Sequence, residues 1–519
     1  MQREAMANIL TSQMIPEKGV ASESCGVAGS ASSASELLQL RSCVLAIDMD
    51  CFYAQCEELR NPLLRGKPVG VQQKALVITS NYAARAFGIQ KGDSLQAVRE
   101  KCPDITICNG EDLTFYGQIS QQVFDVAQRF TSRVEKLGLD EIFVDITELL
   151  EERLDAEPCG EIYGEGDAQP PAEPAEADCW RRLSVGSAIC QEIREAIQQE
   201  VGLTSSAGIS VSKLLAKMVS SWKKPNLQTI FLPTAQRLSL LLPDSLPVQK
   251  IPGIGFASTQ RCQALNLHSI GQLVAAADAA GKDEKHELLK SFDVAAVRHM
   301  RLLCLGLDRS LVKASGPPKS CSAEDSFWQR PLESREAVKT SLEQLARKLL
   351  LKVRSVEQSF GYRGVPSMSL SVRHGGRELQ RSKRERRQVQ LGHLTVGNPK
   401  AKSSEPDAAK DQLLAKQLAE KAYGIFEKLV PVEDAFCLNI LNLQLSFSEV
   451  AKGQQSLVFK APVAAVDVDV EPPEPTELSR LLAMGFEASR AKRALQTEGC
   501  VERAVERLLR PRVELVELD

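Results

Sequence analysis

Two stretches of the chain alternate strictly between apolar and polar positions. Met368, Leu370 and Val372 interleave with Ser367, Ser369 and Ser371; Leu441, Leu443, Leu445 and Phe447 interleave with Asn442, Gln444 and Ser446. A period of two turns one set of side chains inward and the other toward water, so both stretches predict strands of a half-covered sheet. Helical spacing near 335–353 and 409–430 supplies the cover, and 318–450 reads as one α+β unit. Earlier in the chain, Cys43-Val-Leu-Ala-Ile-Asp-Met-Asp50 is an apolar run ending in carboxylates, as a buried strand would be. A second strand is predicted at 75–79, a short helix at 80–88 between polar caps and a terminating glycine, a long helix at 114–130 and a hairpin at 134–145. The pattern over 236–313 is wholly helical.

The patterning lapses in three places. Residues 1–40 are rich in Ser, Ala and Gly and read as a disordered leader; 151–178 are acidic and Pro/Gly-rich, an insertion not expected to fold alone; 451–475 read as a linker. Beyond it, Leu478, Leu481 and Leu482 form one helical stripe, and Val501, Ala504, Val505, Leu508 and Leu509 form another. With the Met484-Gly485-Phe486 turn between them, 476–511 predict a bundle of three short helices.

Composition changes this picture little. The net charge of −3 does not announce a nucleic-acid partner, but an average conceals the basic run Arg381-Ser-Lys-Arg-Glu-Arg-Arg387 beside the acidic insertion. That run suits duplex contact, a nuclear import signal or a disordered loop. The 14 cysteines are scattered without a C-x-x-C pair, which argues against zinc and against a disulfide framework. No secretory leader and no apolar run of membrane-spanning length, about 18 residues, is found, so no membrane partner is expected.

The candidate chemistry lies in carboxylates embedded in strand patterns. Asp48 ends an apolar strand, and Asp140-Glu141 sits within the hairpin. Such groups are costly to bury unless they meet cations, and a two-metal displacement at phosphorus needs several of them converging from different strands. Asp50 has a simpler reading as the N-cap of the helix carrying Phe52 and Tyr53. Tyr82 and Arg85, three apart on a helix, share a face and can reach one phosphate chain. Ile251-Pro-Gly-Ile-Gly255 opens a helix-hairpin-helix pattern, in which Gly253 and Gly255 let backbone amides approach a phosphate without reading sequence. Asn266 stands where a glycine is common and tolerates the left-handed conformation needed there.

Asp48-Met-Asp-Cys-Phe-Tyr-Ala-Gln-Cys-Glu57 resembles the first acidic motif of the Y-family DNA polymerases, and Leu137-Gly-Leu-Asp-Glu-Ile-Phe-Val-Asp145 resembles their second. Gly70-Val-Gln-Gln-Lys74 and Asn109-Gly-Glu-Asp-Leu-Thr114 are similar to one branch of that family, and the likeness spans about 43–450. The resemblance implies an α+β right-hand polymerase, with a palm over 41–51 and 113–235, fingers over 52–112, a helix-hairpin-helix thumb over 236–313 and a little finger over 318–450. It implies that Asp48, Asp140 and Glu141 hold two magnesium ions (or manganese) with the carbonyl of Met49, and that Tyr53 excludes a ribose 2′-hydroxyl. It further implies that Tyr82, Arg85 and Lys224 grip the triphosphate of a deoxynucleotide, that Gln73, Lys74 and Leu76 surround the templating base, and that Arg373 reaches the backbone of primer-template DNA. Ala75 stands where an aromatic is expected and Ser212 where an asparagine is usual.

The 476–511 segment resembles a ubiquitin-associated (UBA) domain, which implies that Met484, Gly485, Phe486 and Leu509 meet ubiquitin or a ubiquitinated sliding clamp. Lys452-Gly-Gln-Gln-Ser-Leu-Val-Phe459 is faintly similar to a sliding-clamp peptide. The expected activity is that of a DNA-directed DNA polymerase working across damaged template in the nucleus. A nucleotidyl cyclase and a non-catalytic adaptor stand as alternatives; the helix-hairpin-helix and alternating strands weigh against the first, the three acidic residues against the second.

Overall fold

Strand β1, Val44–Met49, is buried along nearly its whole length, and the rest of the first half of the chain is arranged around it. The computed structural model describes residues 27–154, 171–327, 330–360, 364–375, 384–391, 408–431 and 434–448. Two compact units divide the chain, 1–454 and 455–519, and every described residue belongs to the first. The helical tail, the linker and the clamp-like peptide lie outside the described residues, as do Met484, Gly485, Phe486 and Leu509.

The first half carries β2 (Val69–Gln73), β3 (Leu76–Ser80), β4 (Thr106–Asn109), β5 (Val134–Leu137), β6 (Glu141–Asp145), β7 (Ser205–Ser210) and β8 (Gln228–Ile230). Five strands form one sheet in the order β5-β6-β1-β7-β8, with β1 antiparallel to both neighbours. Alternation sorts the faces of β1. Leu45, Ile47 and Met49 join the main apolar cluster, with residues of the helices Thr114–Gln128 and Pro174–Val201. Val44 and Ala46 face the other way, where Phe143, Ala216 and Val312 cover them. Ala216 belongs to the helix Lys213–Val219, which Ser212 caps by accepting a hydrogen bond from Leu215 N. A serine at this position therefore has a local reason. A separate three-stranded sheet, β3-β2-β4, carries the 69–109 region.

Between Ala235 and Cys304 the structure is helical, as the spacing predicts. Gly253 takes φ 98 in the turn before the helix Phe256–Ala264, and Asn266 takes φ 58, the left-handed conformation expected of it. The second sheet unit has β9 (Ser320–Ser326), β10 (Ser367–His374), β11 (Glu385–Gln390) and β12 (Leu438–Ser446), ordered β11-β10-β12-β9. Met368, Leu370, Val372, Leu441, Leu443 and Leu445 are all buried beneath the helices Arg335–Phe360 and Ala408–Leu429. The chain is a mixed α+β fold.

Four sequence expectations are corrected. The leader does not extend to residue 40: Val27–Leu38 is a helix whose Ala34 and Leu37 are buried in the main cluster. Its serines and alanines concealed a docking face, because small residues bury little area and give a weak periodic signal. The acidic insertion is narrower than 151–178, since one flanking helix runs to Arg153 and the next begins at Pro174. The basic run is not wholly a loop, for Glu385, Arg386 and Arg387 lie on strand β11, paired with β10. Asp50 does not cap the helix Phe52–Arg60. Cys51 occupies that position with φ 38 and no side-chain cap, and the carboxylate of Asp50 turns inward instead.

Candidate active site

Asp48 and Glu141 are directly opposed in the register of β1 and β6, and Asp140 precedes Glu141. The amide of Met49 donates to Asp140 O at 2.8 Å, which ties the two acidic segments by their backbones. Asp48 is four residues from Val44, and Glu141 is two from Phe143, so both project from the face on which the helix Lys213–Val219 lies. That helix presents two lysines four residues apart on one side. Lys213 pairs with Glu135 at 3.0 Å, and Lys217 pairs with Glu141. A second cation arrives from the loop before β8, where Lys224 pairs with Asp48.

Burial dominates the electrostatics of the two aspartates. Burial pushes the carboxyl of Asp48 above the ordinary aspartate range; Lys224 pulls it back, and Glu141 pushes it up again. Asp140 is raised by burial and by the charge of Asp48. Tyr53 is raised by burial and by Asp140, so its phenol is within the field of the same acid. Its ring meets Tyr116 edge-on with centroids 4.6 Å apart, and Tyr116 donates to Glu57 at 2.6 Å. Tyr53 is therefore held by packing on one side while it remains half-buried at the cluster.

Tyr82 and Arg85 lie on the short helix Tyr82–Arg85, capped by Asn81. The Arg85 guanidinium stands 4.8 Å over the Tyr82 ring and donates to Ser80 O at 3.0 Å. The Tyr82 hydroxyl is buried without a hydrogen-bond partner among the described residues. The thiol of Cys51 feels both Arg85 and Lys224, which places the two cations around one spot. Asp48, Met49, Asp140, Glu141, Tyr53, Tyr82, Arg85 and Lys224 thus form one neighbourhood.

The other sequence candidates lie elsewhere. Gln73, Lys74 and Leu76 sit at the β2–β3 turn, where Gln73 donates to Gly110 O at 2.7 Å. Lys74 adopts φ 54, and its ammonium lies 3.0 Å from Asp325 on β9 and 3.5 Å from Glu111. Gly253 and Gly255 lie in the turn before the helix Phe256–Ala264, with Gly255 at its N-cap. Arg373 is on β10. Arg261, exposed on the helix Phe256–Ala264, donates to Ser291 O at 3.0 Å and lies 4.4 Å over the Phe292 ring.

Among the described residues, no three or more His, Cys, Asp or Glu side chains are gathered closely enough to hold a metal ion. The donor chemistry nevertheless suits a hard divalent cation, because these are carboxylates with a nearby main-chain carbonyl. Two of the acids already draw a cation, in the form of the Lys224 and Lys217 ammonium groups. Lys217 is the residue that sequence reasoning missed here; its spacing of four from Lys213 was a usable signal.

Residues 47–221 match the model of the impB/mucB/samB family. DNA polymerase IV of Actinobacillus pleuropneumoniae is 31% identical over 288 residues, 55% of this chain and 69% of that protein. The chain belongs to the Y family of DNA polymerases. DNA polymerase iota of Mus musculus is 38% identical over 319 residues, 60% of this chain, and that of Drosophila melanogaster is 34% identical over 448 residues, 82% of this chain. The chain spans 42% and 57% of those two relatives' lengths. The family match begins one residue before Asp48 and takes in Asp140, Glu141 and the helix bearing Lys217, so the acidic cluster falls within the segment that defines membership.

Proposed function

We propose that the chain is a DNA-directed DNA polymerase that extends primers across damaged template. The observation that carries this reading is the direct opposition of Asp48 and Glu141 on neighbouring central strands, with Asp140 alongside. In this reading the five-stranded sheet is the palm, the 69–109 region the fingers, the helices between Ala235 and Cys304 the thumb, and the four-stranded unit the little finger. Asp48, Asp140, Glu141 and the Met49 carbonyl hold two divalent ions, magnesium or manganese. Bound there, such ions would supply charge stabilisation for a displacement at phosphorus. The chain's own part is positioning. Lys224, Arg85 and Tyr82 orient the triphosphate, and the unpartnered Tyr82 hydroxyl supports that role because it has a hydrogen bond to give. Tyr53 is assigned to crowd a 2′-hydroxyl, a role supported by its position in the field of Asp140.

Gly253, Gly255 and Arg373 are assigned to the DNA backbone, and Gln73, Lys74 and Leu76 to the templating base. The assignment for Lys74 requires it to exchange Asp325 for template. The sequence pattern of the tail supports ubiquitin binding through Met484, Gly485, Phe486 and Leu509; the clamp-like peptide and a nuclear location rest on sequence likewise. Magnesium-dependent primer extension tests the central reading. Asp140→Ala is expected to lower the rate by about a hundred- to a thousandfold, the scale seen when charge stabilisation is removed from a reacting centre. A variant that extends primers at the parent's rate would remove the assignment.

A further inference from the structure

Lys224 has a long flexible stem and can serve a nucleotide only if its backbone is held. Two residues later, Asn226 adopts φ 54, a conformation that non-glycine residues rarely enter and that asparagine tolerates best. Two buried groups from different elements grip it there. The Asn226 amide donates to Asp50 Oδ2 at 2.8 Å, and its side-chain oxygen accepts from Arg194 Nη2 at 2.7 Å. Asp50 is 1% exposed and Arg194 5% exposed, whereas Asn226 is at the surface.

Each grip is itself anchored. Asp50 accepts from Ser206 Oγ at 2.7 Å and from Thr204 Oγ1 at 3.2 Å. Arg194, on the helix Pro174–Val201, donates from Nε to Ser205 O at 2.9 Å and from Nη1 to Gln228 Oε1 at 3.0 Å and Gln191 Oε1 at 2.8 Å. All three guanidinium nitrogens therefore point at fixed acceptors, a use of arginine's rigid fork that lysine cannot reproduce. A buried carboxylate and a buried guanidinium are expensive to retain for one surface asparagine. What that asparagine controls is the loop bearing Lys224, whose ammonium lies on Asp48.

We propose that Asp50 and Arg194 are positioning residues that clamp Asn226 and so aim Lys224 at the triphosphate of the incoming nucleotide. The inference rests on the polymerase reading and adds to it a support system outside the acidic cluster. Single-nucleotide insertion by the full chain on primer-template DNA tests it, with Asn226→Ala, Asn226→Asp, Arg194→Met, Lys224→Ala and the Asn226→Ala/Lys224→Ala double variant. Asn226→Ala is expected to raise the KM for the deoxynucleotide about tenfold, as for the loss of one charge-assisted contact, and to leave kcat within about twofold. Asn226→Asp keeps an oxygen toward Arg194 and is expected to recover most of the loss. The double variant is expected to be no worse than Lys224→Ala, because the clamp acts through that lysine. Losses that multiply in the double variant, or an unchanged KM in Asn226→Ala beside a raised one in Lys224→Ala, overturn the clamp alone. An unchanged KM in Lys224→Ala overturns the nucleotide role of the lysine itself. Should Arg194→Met fail to fold, the substitution at exposed Asn226 still decides.

Discussion

The same chemical change, glycine to alanine, is expected to act in opposite directions at two positions of the central unit. At Gly208 on β7, a Cβ would stand 2.0 Å from Ala216 O, 2.8 Å from Ser220 N and 2.9 Å from Val219 Cγ2. Ordinary contact begins near 3.4 Å, so the helix Lys213–Val219 would have to retreat by about 1.4 Å (3.4 less 2.0) or the strand would have to buckle. The helix is not free to retreat. Leu214 N donates to Asp308 at 3.2 Å, Lys213 and Lys217 are paired to the sheet, and Ala216 is fully buried. Overpacking against side chains costs about 1–3 kcal/mol, and here two of the three obstructing atoms are backbone, so about 3 kcal/mol or more is expected. For a unit of residues 1–454 that lowers the melting temperature by about 3–4 °C. At Gly117, inside the helix Thr114–Gln128, a Cβ would meet nothing within 4 Å. Alanine there removes the helix penalty of glycine and is expected to stabilise by about 0.5–1 kcal/mol. Circular dichroism melting of the two variants beside the parent is the assay. A Gly208→Ala protein that melts with the parent, or a Gly117→Ala protein that falls as far as Gly208→Ala, would refute the close-approach reasoning. Because Lys217 rides on the displaced helix, Gly208→Ala is also expected to lower primer extension more than its loss of folded protein explains.

Burial pulls the Lys136 ammonium down from the usual 10.5 to about 8, against an opposing pull from Asp125. Between those values the unfolded chain binds more protons than the folded one, so this residue makes stability rise with pH across the window, and its penalty is complete below pH 8. Lys136→Met is expected to raise stability at pH 7 by on the order of 1–3 kcal/mol and to flatten that rise; urea titrations at pH 7 and pH 10 check both, and an equal slope in the variant would contradict the assignment. Lys74 and Asp325 are expected to couple by only about 0.2–1 kcal/mol in a double-alanine cycle, since the pair is partly exposed. The coupling should weaken in 1 M salt, where the screening length is about 3 Å; a coupling that salt leaves undiminished would mean that the contact is not electrostatic.

Local pattern was enough to determine the strands carrying Asp48 and Glu141, the alternation of β10 and β12, the helical stretch after Ala235 and the left-handed turn at Asn266. Each of these follows from side-chain periodicity or from one residue's backbone tolerance, quantities that neighbours in sequence contain. Tertiary structure alone decided the rest. Asp50 looked like a helix cap because its near neighbours form a helix; its actual partners, Thr204, Ser206 and Asn226, are more than 150 residues away. The helix Val27–Leu38 owes its order to docking of Leu37 rather than to its own weak pattern, and Lys217 gained a role only when its helix was laid across β6. Buried polar groups choose partners by proximity in space, because burial makes an unpaired charge or donor costly wherever its complement lies along the chain.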